Sequence, residues 1–161
     1  MDTVDKLLSQ WRSERPDLDV SALGIATRIE MLAKLLRRGT AASLAIVGLK
    51  PWEYDVLSAL RRQGRPFELA ASELARESLL TAGAMTTRID HLESQDLVKR
   101  SPDPNDRRGV RVRLTRKGKT AIDRAIEARL KSAESAVECM NSRQRAQTEG
   151  ALRALLQYVE T

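Results

Sequence analysis

The chain has 161 residues, of which 28 are lysine or arginine and 22 are aspartate or glutamate, giving a formal net charge of +6 at pH 7. This length suits one domain or one subunit of a small oligomer, and the positive charge favours an anionic partner. A single cysteine and a single histidine exclude an internal disulfide and a structural zinc site. Because the sequence shows no nucleophilic or metal-dependent constellation, we expect neither an enzyme nor a cofactor.

The sequence also argues against a membrane partner. It contains no recognisable signal peptide and no apolar run that approaches membrane-spanning length. We therefore expect a cytoplasmic protein.

Two helices are predicted in the N-terminal third of the chain. The first spans about residues 3 to 15, and its apolar positions recur at spacings of three and four: Val4, Leu7, Leu8 and Trp11. Asp17 and Asp19 then offer N-caps to a long helix that runs to about residue 47. A helix of this length in so small a chain favours a subunit interface.

Three further helices are predicted in the middle of the chain. One covers about residues 52 to 63, a short one covers residues 71 to 79, and Thr81 caps a third over about residues 82 to 95. We call the third one the reading helix. The residues that share its core-facing side are Met85, Ile89 and Leu92. Those that face away from the core are Thr86, Thr87, Asp90 and His91.

The most informative stretch is the basic segment over residues 103 to 118. Its apolar and basic residues alternate at the strand period of two: Val110, Arg111, Val112, Arg113 and Leu114. Residues 97 to 100 are the natural partner strand, so we predict a hairpin, called the wing, whose tip projects Arg107 and Arg108 into solvent. Alone, this hairpin could be a solvated surface feature, but two helices and a tight connection before it predict a winged helix-turn-helix.

Duplex DNA is the partner that this arrangement favours. Two tryptophans, two tyrosines and one phenylalanine are few for a chain that stacks single-stranded bases, and a two-fold dimer can read two half-sites. Threonine hydroxyls can bond phosphates or base edges, and Gly83 permits close approach. The candidate DNA contacts are Thr81, Gly83, Thr86, Thr87, Arg107, Arg108 and Arg111. The alternative is that these are ordinary surface residues.

The C-terminal third is predicted to be helical. Thr115 caps a long helix, and Asn141 marks a break before a final helix with an apolar stripe: Ala146, Leu152, Leu155, Leu156 and Val159. Both helices are candidates for dimerisation. Cys139 is expected near the end of the first of them, as a small buried apolar residue.

The wing carries a pattern of five residues, Asp106, Arg108, Leu114, Thr115 and Gly118. Together with residues 48–57 and 82–93, this pattern resembles the MarR family of winged-helix repressors, and the resemblance covers nearly the whole chain. It implies a ligand-responsive repressor that binds a palindromic operator as a homodimer built from N- and C-terminal helices. It also implies that Asp106 orients the wing arginine.

A closer resemblance, to the urate-responsive branch of that family, rests on four residues: Trp11, Asp55, Arg88 and Arg100. Trp11 precedes a Pro-Asp-Leu-Asp segment as in the branch, whereas Thr87 stands where asparagine is common. The resemblance implies that urate or a related purine stacks near the tryptophan, pairs with an arginine and repels the aspartate, which moves the reading helices. From the residues alone, Arg88 and Asp55 could instead form a structural salt bridge.

The predicted fold class is therefore mainly α with a small β-hairpin wing, a winged helix-turn-helix domain with N- and C-terminal dimerisation helices. We expect the N-terminal helices over residues 1–47 to supply effector pocket and dimerisation, the DNA-binding domain to cover 48–115, and 116–161 to dimerise. Two alternatives stay open. One is a different effector, such as a phenolic or other anionic metabolite, and the other is a non-specific architectural or membrane-surface basic protein.

Overall fold

The computed structural model describes residues 1–104 and 106–161, with the side chains of Arg107 and Arg108 outside the description. The chain forms two compact units, Met1–Gly39 and Thr40–Thr161. The described residues contain seven helices and three strands. In chain order these are α1 (Thr3–Glu14), α2 (Leu23–Ile46), α3 (Pro51–Arg62), β1 (Glu68–Ala70), α4 (Ala71–Glu77), α5 (Ala82–Ser94), β2 (Val98–Asp103), β3 (Asp106–Leu114), α6 (Arg116–Ala136) and α7 (Ser142–Val159).

The first unit is held together by the contact of α1 with the beginning of α2. The Asp2 carboxylate accepts hydrogen bonds from the amides of Val4 and Asp5, at 2.8 and 3.0 Å, and so caps α1. The Arg28 guanidinium of α2 then binds Asp2 at 2.9 Å and Asp5 at 2.5 Å. A small apolar cluster lies beneath these ion pairs, formed by Val4, Leu8 and Val20.

The start of α2 differs from the sequence-based expectation. Asp17 binds Arg15 at 2.7 Å, and Asp19 accepts a hydrogen bond from the Ser21 amide at 2.9 Å. Because both carboxylates are used before the helix begins at Leu23, the prediction that Asp17 and Asp19 are N-caps of the long helix is wrong.

The core of the second unit lies between the α3–α5 helices, the sheet and α6. Its largest fully buried side chains are Leu44, Val56, Leu57, Leu60, Leu74, Met85, Ile89, Leu92, Val98, Val112 and Ile122. Removing one such side chain from water stabilises the fold by about 1.5–3 kcal/mol. The predicted core face of the reading helix, which is α5, is confirmed.

The mainly α fold and the hairpin wing are confirmed, but the sheet has one strand more than predicted. The strand order is β1-β3-β2, and both pairings are antiparallel. The added strand β1 is three residues long and places Leu69 opposite Val112. It ties the segment before α4 to the inner strand of the wing.

The reading helix, the wing and α6 meet around Leu97, whose amide donates to the Leu92 carbonyl of α5 at 2.9 Å. Thr115 caps α6, as predicted, because its hydroxyl accepts from the Gly118 amide at 2.9 Å. The Thr115 amide also donates to the Leu97 oxygen at 3.1 Å. A Cβ on Gly118 would lie 1.9 Å from that oxygen, so only glycine fits at this position.

Two helices keep large apolar surfaces exposed. In α7, Leu152, Leu155 and Leu156 are 48, 43 and 59% exposed, and none of its described residues is buried. The α2 helix likewise exposes Ile29, Leu32 and Leu36. None of the described helices combines the length and apolar character needed to cross a bilayer.

The expectation that Cys139 is a buried apolar residue is wrong. Cys139 is exposed. The α6 helix ends at Ala136, so Cys139 lies in the turn that leads to α7. It is therefore not on a helix face that packs against the core.

Candidate nucleic-acid interface

The exposed face of α5 carries small side chains, several of which have hydroxyl groups. Thr81, Gly83, Thr86 and Thr87 are exposed, and a Cβ built on Gly83 meets no atom within 4 Å. The Thr86 and Thr87 hydroxyls donate to the carbonyls of Ala82 and Gly83, at 2.9 and 3.2 Å. Since their hydrogens are engaged, these oxygens present lone pairs outward, which suits the amino groups of adenine or cytosine.

The N-terminus of α5 lies at the same end as this face. Thr81 caps the helix by accepting from the Ala84 amide at 3.3 Å, as the sequence predicts. The first turn of a helix attracts phosphate through its free amides and its dipole. The chemistry of the exposed face therefore suits base edges, and that of the helix start suits a phosphate.

At the wing, the structure describes only part of the predicted contact set. The side chains of Arg107 and Arg108 lie outside the described residues, and the role of Asp106 in orienting Arg108 stays a prediction. Arg111 is placed differently from expectation. Its guanidinium binds Glu68 at 2.9 Å and approaches Asp103 at 3.6 Å, so it is held between β1 and the end of β2.

Glu68 of β1 is the carboxylate that holds the wing strand β3 through ion pairs. It is 12% exposed at its side chain and also binds Arg113, at 2.6 Å. Burial raises the pKa of Glu68, but the hydrogen bonds from Arg111 and Arg113 outweigh burial and leave the pKa below its ordinary value. The carboxylate thus stays charged and joins β1 to β3.

The predicted effector residues are only partly brought together. The Arg88 guanidinium of α5 lies 5.3 Å from the centroid of the Trp52 ring on α3. Partial burial raises the pKa of Asp55 above its ordinary value, while the charges of Arg88 and Arg62 act in the opposite direction. Asp55 keeps part of its surface exposed. A cation, an aromatic ring and a carboxylate therefore lie side by side on α3 and α5.

Arg100 has other partners, and Trp11 belongs to the other compact unit. Arg100 of β2 binds Glu93 at 2.8 Å and also contacts Asp90, and these hydrogen bonds raise its pKa. Its charge is thus already balanced by two carboxylates, so an anionic ligand must compete with them. Trp11 belongs to the first unit, where it lies on α1 with 46% of its surface exposed.

Sequence reasoning missed Glu53 of α3. It is 2% exposed, and its Oε2 accepts from the Lys50 amide at 2.8 Å. Its Oε1 lies 3.0 Å from His91 Nε2 and accepts from Gln95 Nε2 at 3.2 Å. The one available signal was a glutamate three residues after the helix boundary. Capping boxes usually begin with serine or threonine, so the lysine at the N-cap, Lys50, made this capping box hard to recognise from the sequence.

An open groove of about 500 Å³ lies between the end of α2 and α6. It is lined by Ser43, Ile46, Val47, Arg124, Glu127, Ala128, Lys131, Ser132 and Ser135. None of the predicted site residues lies on it, so its walls give no support to the predicted effector site.

Comparison with known proteins decides the family. A family model described as the MarR family matches residues 47–109. The HTH-type transcriptional regulator PecS of Dickeya dadantii (strain 3937) is 30% identical over 157 residues, which cover 98% of this chain and 92% of PecS. The chain belongs to the MarR family. A further relative, the HTH-type transcriptional repressor MdtR of Bacillus subtilis (strain 168), is 26% identical over 129 residues, 80% of this chain and 72% of MdtR.

Solved structures agree on the MarR fold. AbsC, a MarR family transcriptional regulator from Streptomyces coelicolor, has a TM-score of 0.75 at 20% identity and covers 89% of this chain and 96% of its own. A mutant MarR from E. coli, complexed with operator DNA, has a TM-score of 0.71 at 22% identity and covers 91% and 97%. The family membership makes this chain a winged-helix transcriptional regulator.

Proposed function

We propose that this MarR-family protein is a homodimeric repressor that binds a palindromic operator in duplex DNA and leaves it when a small anionic aromatic ligand, such as urate, binds. The observation that carries the DNA-binding part is the exposed face of α5. Its small and hydroxyl residues face outward beside a basic wing, while the opposite face is fully buried. This combination favours a DNA-binding helix over a surface helix without a partner.

In the proposed complex, α5 lies in the major groove and the wing follows the adjacent backbone or minor groove. Thr81 and Gly83 meet the groove edge, Thr86 and Thr87 meet base edges, and Arg107 and Arg108 supply the wing contacts. We assign Arg111 a supporting part, because Glu68 of β1 already binds its guanidinium.

The exposed apolar faces support a dimer. Leu152, Leu155, Leu156 and Val159 recur at spacings of three and four on α7, and α2 exposes a second apolar face. Contiguous apolar surface of this kind marks an interaction site. We propose that residues 1–47 and 116–161 supply a two-fold interface and that residues 48–115 form the DNA-binding part of each subunit.

The ligand part of the proposal rests on Arg88, Trp52 and Asp55. A planar anion can pair with the Arg88 guanidinium, which now lies over the Trp52 ring, and its charge repels the nearby Asp55 carboxylate. Because Arg88 belongs to α5, a ligand that binds better when α5 has moved weakens the operator complex. Arg100 contributes only if Glu93 and Asp90 release it, and the part of Trp11 stays a prediction.

The decisive experiment measures operator binding directly. DNA upstream of the protein's own coding region is searched for a palindrome, and labelled duplexes are titrated by fluorescence anisotropy and footprinted. We expect protection of a palindrome, with loss of binding as urate is added. Protection without sequence preference would instead support an architectural protein, and release by a phenolic acid but not by urate would replace the effector.

The two tryptophans allow the ligand site to be located. In a Trp11→Phe variant, Trp52 is the remaining tryptophan, and in a Trp52→Phe variant Trp11 is. Urate that binds at Arg88 should quench Trp52 emission, and Arg88→Gln should abolish this response. Asp55→Asn should keep operator affinity while weakening release by the ligand. An unchanged release curve for both variants would exclude this site.

A further inference from the structure

Glu53 of α3 is a buried charged side chain at the centre of the DNA-binding part. It is 2% exposed, in a helix whose Val56, Leu57 and Leu60 are completely buried. Removing a carboxylate from water is costly unless hydrogen bonds compensate for the lost hydration. The hydrogen-bond partners of the Glu53 carboxylate therefore indicate its role in the fold.

The two carboxylate oxygens of Glu53 serve different parts of the protein. Oε2 accepts from the Lys50 amide at 2.8 Å and so closes the first turn of its own helix. Oε1 lies 3.0 Å from His91 Nε2 of α5 and accepts from Gln95 Nε2, at the C-cap of that helix, at 3.2 Å; the two nitrogens are themselves 2.6 Å apart. The carboxylate therefore joins a helix anchored in the core to the helix that carries the proposed base contacts.

The contact is suited to fix the rotation of α5 about its axis. Met85, Ile89 and Leu92 bury α5 through apolar contacts, which depend little on direction. Hydrogen bonds to His91 and Gln95, one turn apart, depend strongly on direction. The His91 ring is further located by Trp52, whose centroid lies 5.3 Å away at an angle of 57°.

We propose that Glu53 is a positioning residue for operator recognition, which acts through His91 and Gln95 to set the angle at which α5 presents Thr86 and Thr87 to the base edges. This inference rests on the proposed DNA-binding function. It assigns sequence discrimination to a side chain that does not touch DNA. Non-specific binding, which depends on phosphate contacts, does not need the same angle.

Glu53→Gln is the direct test. Glutamine has one acceptor oxygen, so it cannot accept from both the Lys50 amide and the Gln95 side-chain amide, as the carboxylate does. The dissociation constants for the operator and for a random duplex of equal length are measured at one salt concentration, well below the melting temperature. We define the operator preference as the dissociation constant for random DNA divided by that for the operator. We expect this preference to fall about tenfold or more, while the constant for random DNA stays within about twofold.

Asp123→Asn is the matched control. Asp123 of α6 binds Arg61 of α3 at 2.7 Å and Lys119 at 2.7 Å, so it anchors the same helix from another side. Both variants should lower the melting temperature, but only Glu53→Gln should change the operator preference. Equal ratios for the two variants would show that Glu53 is merely structural and would overturn the inference.

A double-mutant cycle tests the route through α5. His91→Ala and Gln95→Ala change residues with exposed surface, so they probe the contact even if Glu53→Gln fails to fold. Each should lower the operator preference, and Glu53→Gln should add little in the His91→Ala background. Additive losses, or no loss from either surface variant, contradict the inference. A wild-type protein without operator preference instead refutes the proposed function itself.

Discussion

At the scale of single residues, Gly83 and Asp55 have properties that internal packing does not explain. Gly83 lies in the first turn of α5, where a Cβ would meet nothing within 4 Å. Asp55 is a carboxylate whose pKa is raised by partial burial, against the opposing charges of Arg88 and Arg62. Gly83 lies on the proposed DNA-binding face and Asp55 lies beside the proposed ligand site. Both residues are exposed, so substituting them leaves no cavity in the core.

Gly83→Ala should separate stability from DNA binding. Alanine in place of a helical glycine raises the free energy of unfolding by about 0.5–1 kcal/mol, while the added methyl group obstructs the groove edge. We expect a higher urea midpoint and operator affinity at least severalfold weaker. Gly150→Ala on α7, where a Cβ also meets nothing, is the control and should stabilise without loss of affinity. Retained affinity in Gly83→Ala would remove Gly83 from the interface.

Asp55→Asn should raise stability slightly at neutral pH. Because the folded-state pKa of Asp55 is raised, its ionised form opposes folding at pH 7, and this opposition disappears as the pH falls through the folded pKa. The partly exposed position keeps the gain to a few tenths of a kcal/mol. Urea titrations of both proteins at pH 7 and at pH 3 measure it. A gain that is equal at both values would point to another cause.

At the scale of elements, the wing depends on the strand that precedes α4. Glu68 of β1 binds Arg111 and Arg113 of β3, so the orientation of the hairpin is fixed by ion pairs as well as by the ladder. The first turn of α6 is fixed by contact with Leu97 at the base of the same hairpin. The wing is thus held from two sides.

Glu68→Gln should loosen the wing. Loss of the two charged hydrogen bonds lowers the free energy of unfolding by about 1–3 kcal/mol at pH 7 and weakens operator binding. Since the folded pKa of Glu68 is lowered, its contribution is complete above the unfolded value, about 4.3, and is lost as the pH falls through the folded value. Denaturant titrations from pH 7 to pH 3 should therefore show the two proteins converging. Parallel curves would contradict this.

Gly118→Ala should damage the start of α6. The added Cβ would lie 1.9 Å from the Leu97 oxygen, so the helix must move away from the hairpin base. Overpacking of this kind costs about 1–3 kcal/mol. Thermal unfolding measures the loss, with Gly150→Ala as the harmless counterpart. An unchanged melting temperature would mean that this turn is free to shift.

The elements were predictable to the extent that their signals are local. Thr81 and Thr115 cap the helices expected of them, because a cap depends on residues two or three positions away. The strand β1 was missed since its three residues cannot show an alternating pattern. The cap of α2 was predicted wrongly because Asp17 and Asp19 have nearer partners in Arg15 and Ser21.

The site was less predictable than the fold. The contact of Glu53 with His91 joins residues 38 positions apart, and no spacing rule links them. The pairing of Arg100 with Glu93 and Asp90 likewise depends on how the hairpin returns along α5. Residue type and family pattern selected the right helices, but the partners of each charge needed the three-dimensional arrangement.

At the scale of the whole molecule, the apolar side chains exposed on α2 and α7 form a surface that a single copy of the chain does not cover. The α7 helix buries none of its described residues, and its apolar stripe includes Leu152, Leu155 and Leu156. A soluble helix keeps such a stripe when another surface covers it. We expect a second copy of this chain to provide that surface, so that two α5 helices can read two half-sites.

Leu155→Glu should shift the protein toward the monomer. A carboxylate placed in the apolar stripe must be desolvated when the interface forms, which is costly. Sedimentation velocity should show a smaller species, and operator affinity should fall by about tenfold or more because one half-site is lost. Gln157→Glu adds the same charge on another face of α7 and should remain dimeric. A monomeric wild-type protein would refute the dimer itself.

Leu97 joins α5, the hairpin and α6 through its backbone, since its amide donates to the Leu92 carbonyl of α5 at 2.9 Å. The Thr115 amide binds the Leu97 oxygen at 3.1 Å, and Lys117 Nζ holds the Gln95 carbonyl at 2.7 Å. A residue inserted within α6 would rotate everything beyond it by about 100° and advance it by about 1.5 Å. Inserted residues should therefore be tolerated better in the turn at residues 137–141, which lies outside α6 and α7, than within α6.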